Sequence, residues 1–444
     1  MTNDQVGSLT STQVAGLTSA QAAALTAGQI GSMGSAATGA LTTNDISTFT
    51  TGEVAAITPK AIAGMTTAGV GVLSTGQVAA MTSSQFAGLK STQVAVLSTA
   101  QLGVMTTAQA SALTSSQISA MTTTQIAALS SSQFAALKSD AVAGLTSAQV
   151  GALTTGQVAA LTTGQAGALT SAQMAAISSA NLAVLTTGNI AALNAKALAG
   201  LSTTNFATLS TGQVAALTST QVGALTTGQV HALTTTQLAV VTTTQLGALT
   251  TNQVAALSTD NVAALTTTQL GGIKPASLAS ITSAQIGALT TGQVAGLTTG
   301  QVAALGSSQM AAFVTADIAA MTTSEVAAIT TKAIAGMTTA GFATLSTAQV
   351  AALTTAQVGA LTTGQVAALT TAQLGALTTA QIGAMTSSQV GALTTTAVAA
   401  LTTTQVAALS TSGVAGLTSL QITAMSTAQA EALTSNQVAA LRSA

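Results

Sequence analysis

The residues able to do acid–base or metal chemistry are few and scattered. The single histidine, His231, has Asp260 as its nearest acid in sequence, and there is no second histidine or any cysteine to share a metal. A lone imidazole in that setting reads as a structural position. Two carboxylate pairs, Asp45 with Glu53 and Asp317 with Glu325, have members eight residues apart, and Lys60 and Lys332 sit in the repeat that follows each. Neighbouring repeats that stacked such carboxylates together would make a cation site or a general acid/base pair. The plainer reading is that they are solvated charges, or that Asp and Glu replace a helix-capping Gln. No Gly-rich phosphate loop, Asp-rich calcium motif or nucleophile motif occurs. The expectation is therefore of no catalytic, cofactor-binding or metal-binding residue, no cofactor, and no enzyme.

Charge excludes other classes. The formal net charge is −1, which leaves no field to hold nucleic acid. Mean hydropathy is +0.61, yet Thr, Ser and Gln recur too often for an apolar run of the roughly 18 residues a membrane span needs. No membrane insertion is expected. The start, Met1-Thr2-Asn3-Asp4-Gln5-Val6, has neither the basic nor the apolar part of a signal peptide.

What must position all of these residues is an octad. Leu153-Thr154-Thr155-Gly156-Gln157-Val158-Ala159-Ala160 shows it, and an apolar anchor recurs every eighth residue from Leu9 to Leu441 without a frame shift. With the anchor as position 1, Thr or Ser at position 2 and Gln at position 5 have the spacing of a capping box. The Thr hydroxyl accepts from the N–H at position 5, and the Gln side chain reaches back to the N–H at position 2. Positions 3 to 8 then form a short helix. Pro59 and Pro275 both fall at position 3, the first helical residue, where a missing N–H costs nothing. One unbroken helix is excluded, because eight residues overshoot two turns by about 80° and would spiral the anchors around the rod.

Positions 1 and 6 share a face, as in Val214 with Leu217 and Ile126 with Leu129. Small residues at positions 7 and 8 permit close approach. Burying a Leu or Val yields about 1.5–3 kcal/mol, against about 1–2 kcal/mol for each ordered backbone residue. One octad cannot fold alone, but stacked octads can. The fold expected is an all-α solenoid of short capped helices, one per octad, over a single continuous domain 1–444. Two, three or four octads per turn all satisfy the pattern. A β-solenoid with eight-residue sides is the runner-up. Gln at position 5 avoids the repulsion that ranks of Glu would bring, and stacked Gln side chains offer a ladder.

Two stretches vary. Gly34 to Thr38 lacks both cap and Gln, and from Asn44 to Gly71 position 5 is Asp45, Glu53, Ala61 and Gly69. Lys60, Lys196 and Lys332 recur at 136 residues, as do Lys138 with Lys274 and Met174 with Met310, a superperiod of 17 octads. Block duplication explains it. The sharper reading is that marked octads return to one side for lateral contact.

The run Leu-Thr-x-x-Gln-Val resembles the opening of the repeat in bacterial TAL effectors, over six residues of their longer unit. Their base-reading loop and basic character are absent, so DNA binding is not implied. The whole chain is similar in composition to the Thr/Ala/Gln-rich octad arrays of very large bacterial surface or secreted proteins, described as adhesin-like or haem-utilisation-like. That resemblance implies a cell-surface or extracellular setting. No haem-ligand pattern accompanies it.

The functional expectation is a structural protein that assembles with itself, head to tail, into an extracellular filament or stiff surface fibre. The first octad and the last, Leu433 to Ala440, look like internal ones apart from Asp4 and Arg442. Monomeric solenoids carry polar caps there, and contact between unlike faces does not close. The competing expectation is an adhesin-like rod that recognises a surface or polysaccharide through a Thr/Ser/Gln face.

Overall fold

Each octad forms one short helix. The computed structural model describes residues 1–441, so Arg442 lies outside the described residues. Among these residues there are 55 helices of four to seven residues and no strand, which removes the β-solenoid. Thr155–Ala159 is typical. Thr154 caps it in an extended conformation (φ −76°, ψ 155°), and both halves of the capping box form. All but Ser435–Leu441 end at position 6, 7 or 8, so most are shorter than the six residues the sequence suggests. Both prolines occupy the first turn, as expected. The stretch without a cap still forms the helix Ser35–Gly39, where the Thr38 hydroxyl donates to the Gly34 carbonyl at 3.0 Å.

The corners use ordinary backbone. Leu169 (φ −62°, ψ 140°) and Thr170 (φ −93°, ψ 165°) are both extended, and they redirect the chain between two helices. No described residue has positive φ. Anchor and cap positions therefore need no glycine, and they are free to carry the core side chain and the capping hydroxyl.

The described chain divides into two compact units, Met1–Leu225 and Thr226–Ala444. Within each, a helix packs against those three places before and after it. In the first unit Ser83–Gly88 lies between Pro59–Ile62 and Thr107–Ser111; in the second, Thr331–Gly336 lies on Ser307–Met310. Three octads thus make one turn, and helices stack in three columns. The interior is filled from positions 1 and 6. Val158, Ile126 and Phe134 are fully buried, and their anchors nearly so. Positions 2 to 4 face outward. Ala110 falls one turn from both Phe86 and Phe134, so the smallest core side chain shares a column with two of the largest.

Candidate functional site

The chemistry that recurs through the chain is that of the position-5 glutamine. A helix this short leaves most of its end groups without intrahelical partners. The glutamine serves two helices at once. Oε1 of Gln357 accepts from the Thr354 N–H at 2.7 Å and closes its own capping box. Its Nε2 donates to the carbonyls of Val326 at 2.8 Å and Ile329 at 2.6 Å, at the end of a helix in the preceding turn. Gln85 does the same to Val54 and Ile57, and Gln157 to Ile126 and Leu129. The nearer carbonyl lies 28 residues back, and the farther one 30 or 31. The expected Gln–Gln ladder is replaced by this ladder from side chain to backbone.

The donor explains which residues replace Gln. Asn is shorter and reaches only the nearer carbonyl, as Asn181 does to Leu153 (2.8 Å) and Asn261 to Leu233 (2.9 Å). Ser277 reaches Leu249 through its hydroxyl at 2.7 Å. Although these side chains are buried, every buried side-chain nitrogen or oxygen among the described residues has a hydrogen-bond partner. A buried amide is tolerated on that condition.

In five octads that lack a side-chain donor at position 5, position 8 is a glycine against the preceding turn. Ala61, Ala141, Ala197, Ala333 and Gly413 are followed three residues later by Gly64, Gly144, Gly200, Gly336 and Gly416. A Cβ at Gly336 would lie 2.5 Å from Ser307 of the preceding turn, and one at Gly144 would lie 2.5 Å from Ser115. Glycine is required here by proximity, not by its backbone freedom.

The singled-out charges are dispersed by this winding. Consecutive octads belong to different columns, so the members of each carboxylate pair are not stacked. Asp45 accepts from the N–H and hydroxyl of Thr42 at 2.9 and 2.7 Å, and Glu53 accepts from the Thr50 N–H at 2.7 Å. Each is the Gln of its own capping box, as is Glu325 with Thr322. Asp317 follows Val314, which has no hydroxyl to offer. Burial pushes its carboxyl above the usual range, opposed by a hydrogen bond from the Val314 backbone. Lys60 and Lys332 are exposed. Lys60 and Lys196, both in the first unit, are 17 octads apart, which is not a multiple of three. They lie in different columns.

His231 is exposed, and its Nδ1 is 3.1 Å from the Ala256 carbonyl. It borders an open groove of about 590 Å³ lined also by Thr227, Gly228, Ser258 and Thr259, with no second ionisable group. Among the described residues no cluster of three or more His, Asp or Glu is placed to hold a metal ion. Among the described residues no helix is long and apolar enough to cross a membrane.

The residues that build each turn, such as Ala352-Leu353-Thr354-Thr355-Ala356-Gln357, contribute a small contact, a core anchor, a cap and a bridging amide. The family model described as the ALTTAQ repeat matches overlapping stretches from 47 to 163, and at 197–227, 230–299 and 326–395, which is more than half of the chain. The chain belongs to the ALTTAQ repeat family. No curated protein matches the sequence. The family motif is thus the inter-turn joint itself, with Thr at the cap and Gln as the bridge. Sequence reasoning found the cap but missed the second half of the glutamine's work. The signal available was that Gln, Asn and Ser, all donors, occupy a position where Glu would cap equally well.

Proposed function

We propose that this ALTTAQ array is a structural protein whose copies assemble head to tail into a filament or stiff cell-surface fibre. The observation that carries the reading is the uniformity of the joint between turns. One face of a turn offers amide donors and apolar anchors, and the opposite face offers carbonyls and apolar side chains, in octad after octad. A face that fits the next turn of its own chain fits the same turn of another copy. Contact between unlike faces propagates instead of closing. The near-absence of charge removes the repulsion that would oppose it. A setting outside the cell follows from the similarity to octad arrays of bacterial surface proteins. Electron microscopy across a concentration series tests the reading. Fibres of uniform width that lengthen with concentration are expected, and discrete particles at every concentration would overturn it.

A second reading, a binding rod for polysaccharide, is favoured by the exposed columns of Thr and Ser at positions 2 to 4. Beyond the first turn most glutamines are buried and drop out of that face. Retention of discrete, non-polymerising protein on immobilised polysaccharide would support it over the filament.

A further inference from the structure

We infer that the joint between residues 289–312 and 313–336 is a weak one, where the second unit opens first, and that acid tightens it. Elsewhere an octad without a side-chain donor at position 5 stands alone. Ala141, Ala197, Ala397 and Gly413 each have a donor in the octad on either side. The exceptions are two runs: Ala37, Asp45, Glu53, Ala61 and Gly69, and then Asp317, Glu325, Ala333 and Gly341. Helices stack three octads apart, so each run strips the amide from every column of one joint. Among the described residues no side-chain hydrogen bond joins 313–336 to 289–312. Bridges resume with Gln349, whose Nε2 reaches the Met321 carbonyl at 2.6 Å.

The octads of the second run do not lose the bridge alike. Gly336 lets its turn lie against Ser307, and a Cβ at Gly341 would be 3.4 Å from Ile318. Close packing takes the place of the amide there. The octads of Asp317 and Glu325 end in Ala320 and Ala328 instead. Both carboxylates are buried, at 2% and 3% exposure. In the register of the bridges, Asp317 corresponds to the Leu289 carbonyl and Glu325 to those of Leu297 and Val294. A carboxylate has no hydrogen to give them. The helix of Asp317 packs on Thr291–Val294 and Thr339–Ala343, and that of Glu325 on Thr299–Ala304 and Thr347–Ala351. None of these four helices carries an ionisable residue, and Lys332 is exposed in the next column. Protonation supplies the missing donor and removes the buried charge. Burial already pushes the Asp317 carboxyl above the usual range. A raised folded pKa favours the closed joint below the unfolded value of about 3.9 and loosens it as pH rises through the folded one.

Amide hydrogen exchange of the full chain, read by peptide and corrected for intrinsic rate, tests this. At neutral pH, protection over 313–336 is expected to be at least about tenfold below that over 349–372, which carries Gln349, Gln357 and Gln365. Asp317→Asn with Glu325→Gln keeps both shapes and restores two donors. It is expected to raise protection over 313–336 about tenfold. At about pH 3, below the ordinary carboxylate range, wild type should match this double variant. Charged residues are 3% of the chain, so little else titrates. Equal protection of the two stretches at neutral pH, or a double variant that leaves 313–336 unchanged, would overturn the weak joint. A wild type that still trails the double variant at about pH 3 would overturn its tightening by acid.

Discussion

At the scale of single residues, each glutamine bridge depends on an amide donor that a carboxylate does not supply. Gln157 gives its Oε1 to the Thr154 N–H and its Nε2 to two carbonyls of the preceding turn. Gln157→Glu keeps the first bond and loses the other two, facing oxygen with oxygen. The expected loss is about 1–3 kcal/mol in denaturant unfolding at neutral pH. Protonation would restore a donor, so the variant should recover stability on acidification; a neutral substitution would contradict the bridge. Asp317 gives a native counterpart. Its folded pKa is raised by burial, so its contribution to stability is present below the unfolded value of about 3.9 and is lost as pH rises through the folded one. Thermal melts of wild type and Asp317→Asn should therefore diverge as pH rises above the unfolded value of about 3.9, with wild type falling behind. Superimposable pH profiles would contradict it. In the sequence, Gln over Glu was legible only as avoidance of repulsion, because the acceptors lie 28 and 31 residues away and no local pattern points that far.

At the scale of the element, the octad was largely readable. Cap, bridge residue and proline positions are local, and local geometry is what an eight-residue period encodes. Thr154→Ala should cost about 1 kcal/mol through its lost cap, with the change read in the melting temperature. The ends of the helices were less legible, because octads of the same pattern stop at position 6, 7 or 8, as Thr291–Val294, Thr155–Ala159 and Thr75–Ala80 do. Glycines separate the two situations. Gly336→Ala places a Cβ against Ser307 backbone and should destabilise by about 1–3 kcal/mol. Gly375→Ala meets nothing within 4 Å and should be neutral or stabilise by up to about 1 kcal/mol. Equal melting temperatures for the two variants would contradict the packing described between turns.

At the scale of the whole molecule, the sequence left the number of octads per turn open. The reason is physical. Helix formation is set within the octad, but the corner is set by two extended residues whose types, Leu and Thr, permit many angles. Only packing against the next layer selects three. The same number decides what the 17-octad superperiod can do, and membership of the ALTTAQ repeat family extends the joint over most of the chain without choosing the winding. Three octads per turn, joined by glutamine bridges, is the central claim, and the absence of any cysteine makes it directly testable by pairing cysteines. Thr163→Cys is combined in turn with Ala180→Cys, Gly188→Cys or Lys196→Cys, which correspond to two, three and four octads per turn. A Cβ at Gly188 lies 3.6 Å from the Thr163 side chain, within disulfide reach. Rapid, near-complete oxidation of the 163/188 pair alone is predicted; preferential oxidation of 163/180 or 163/196 would contradict the account.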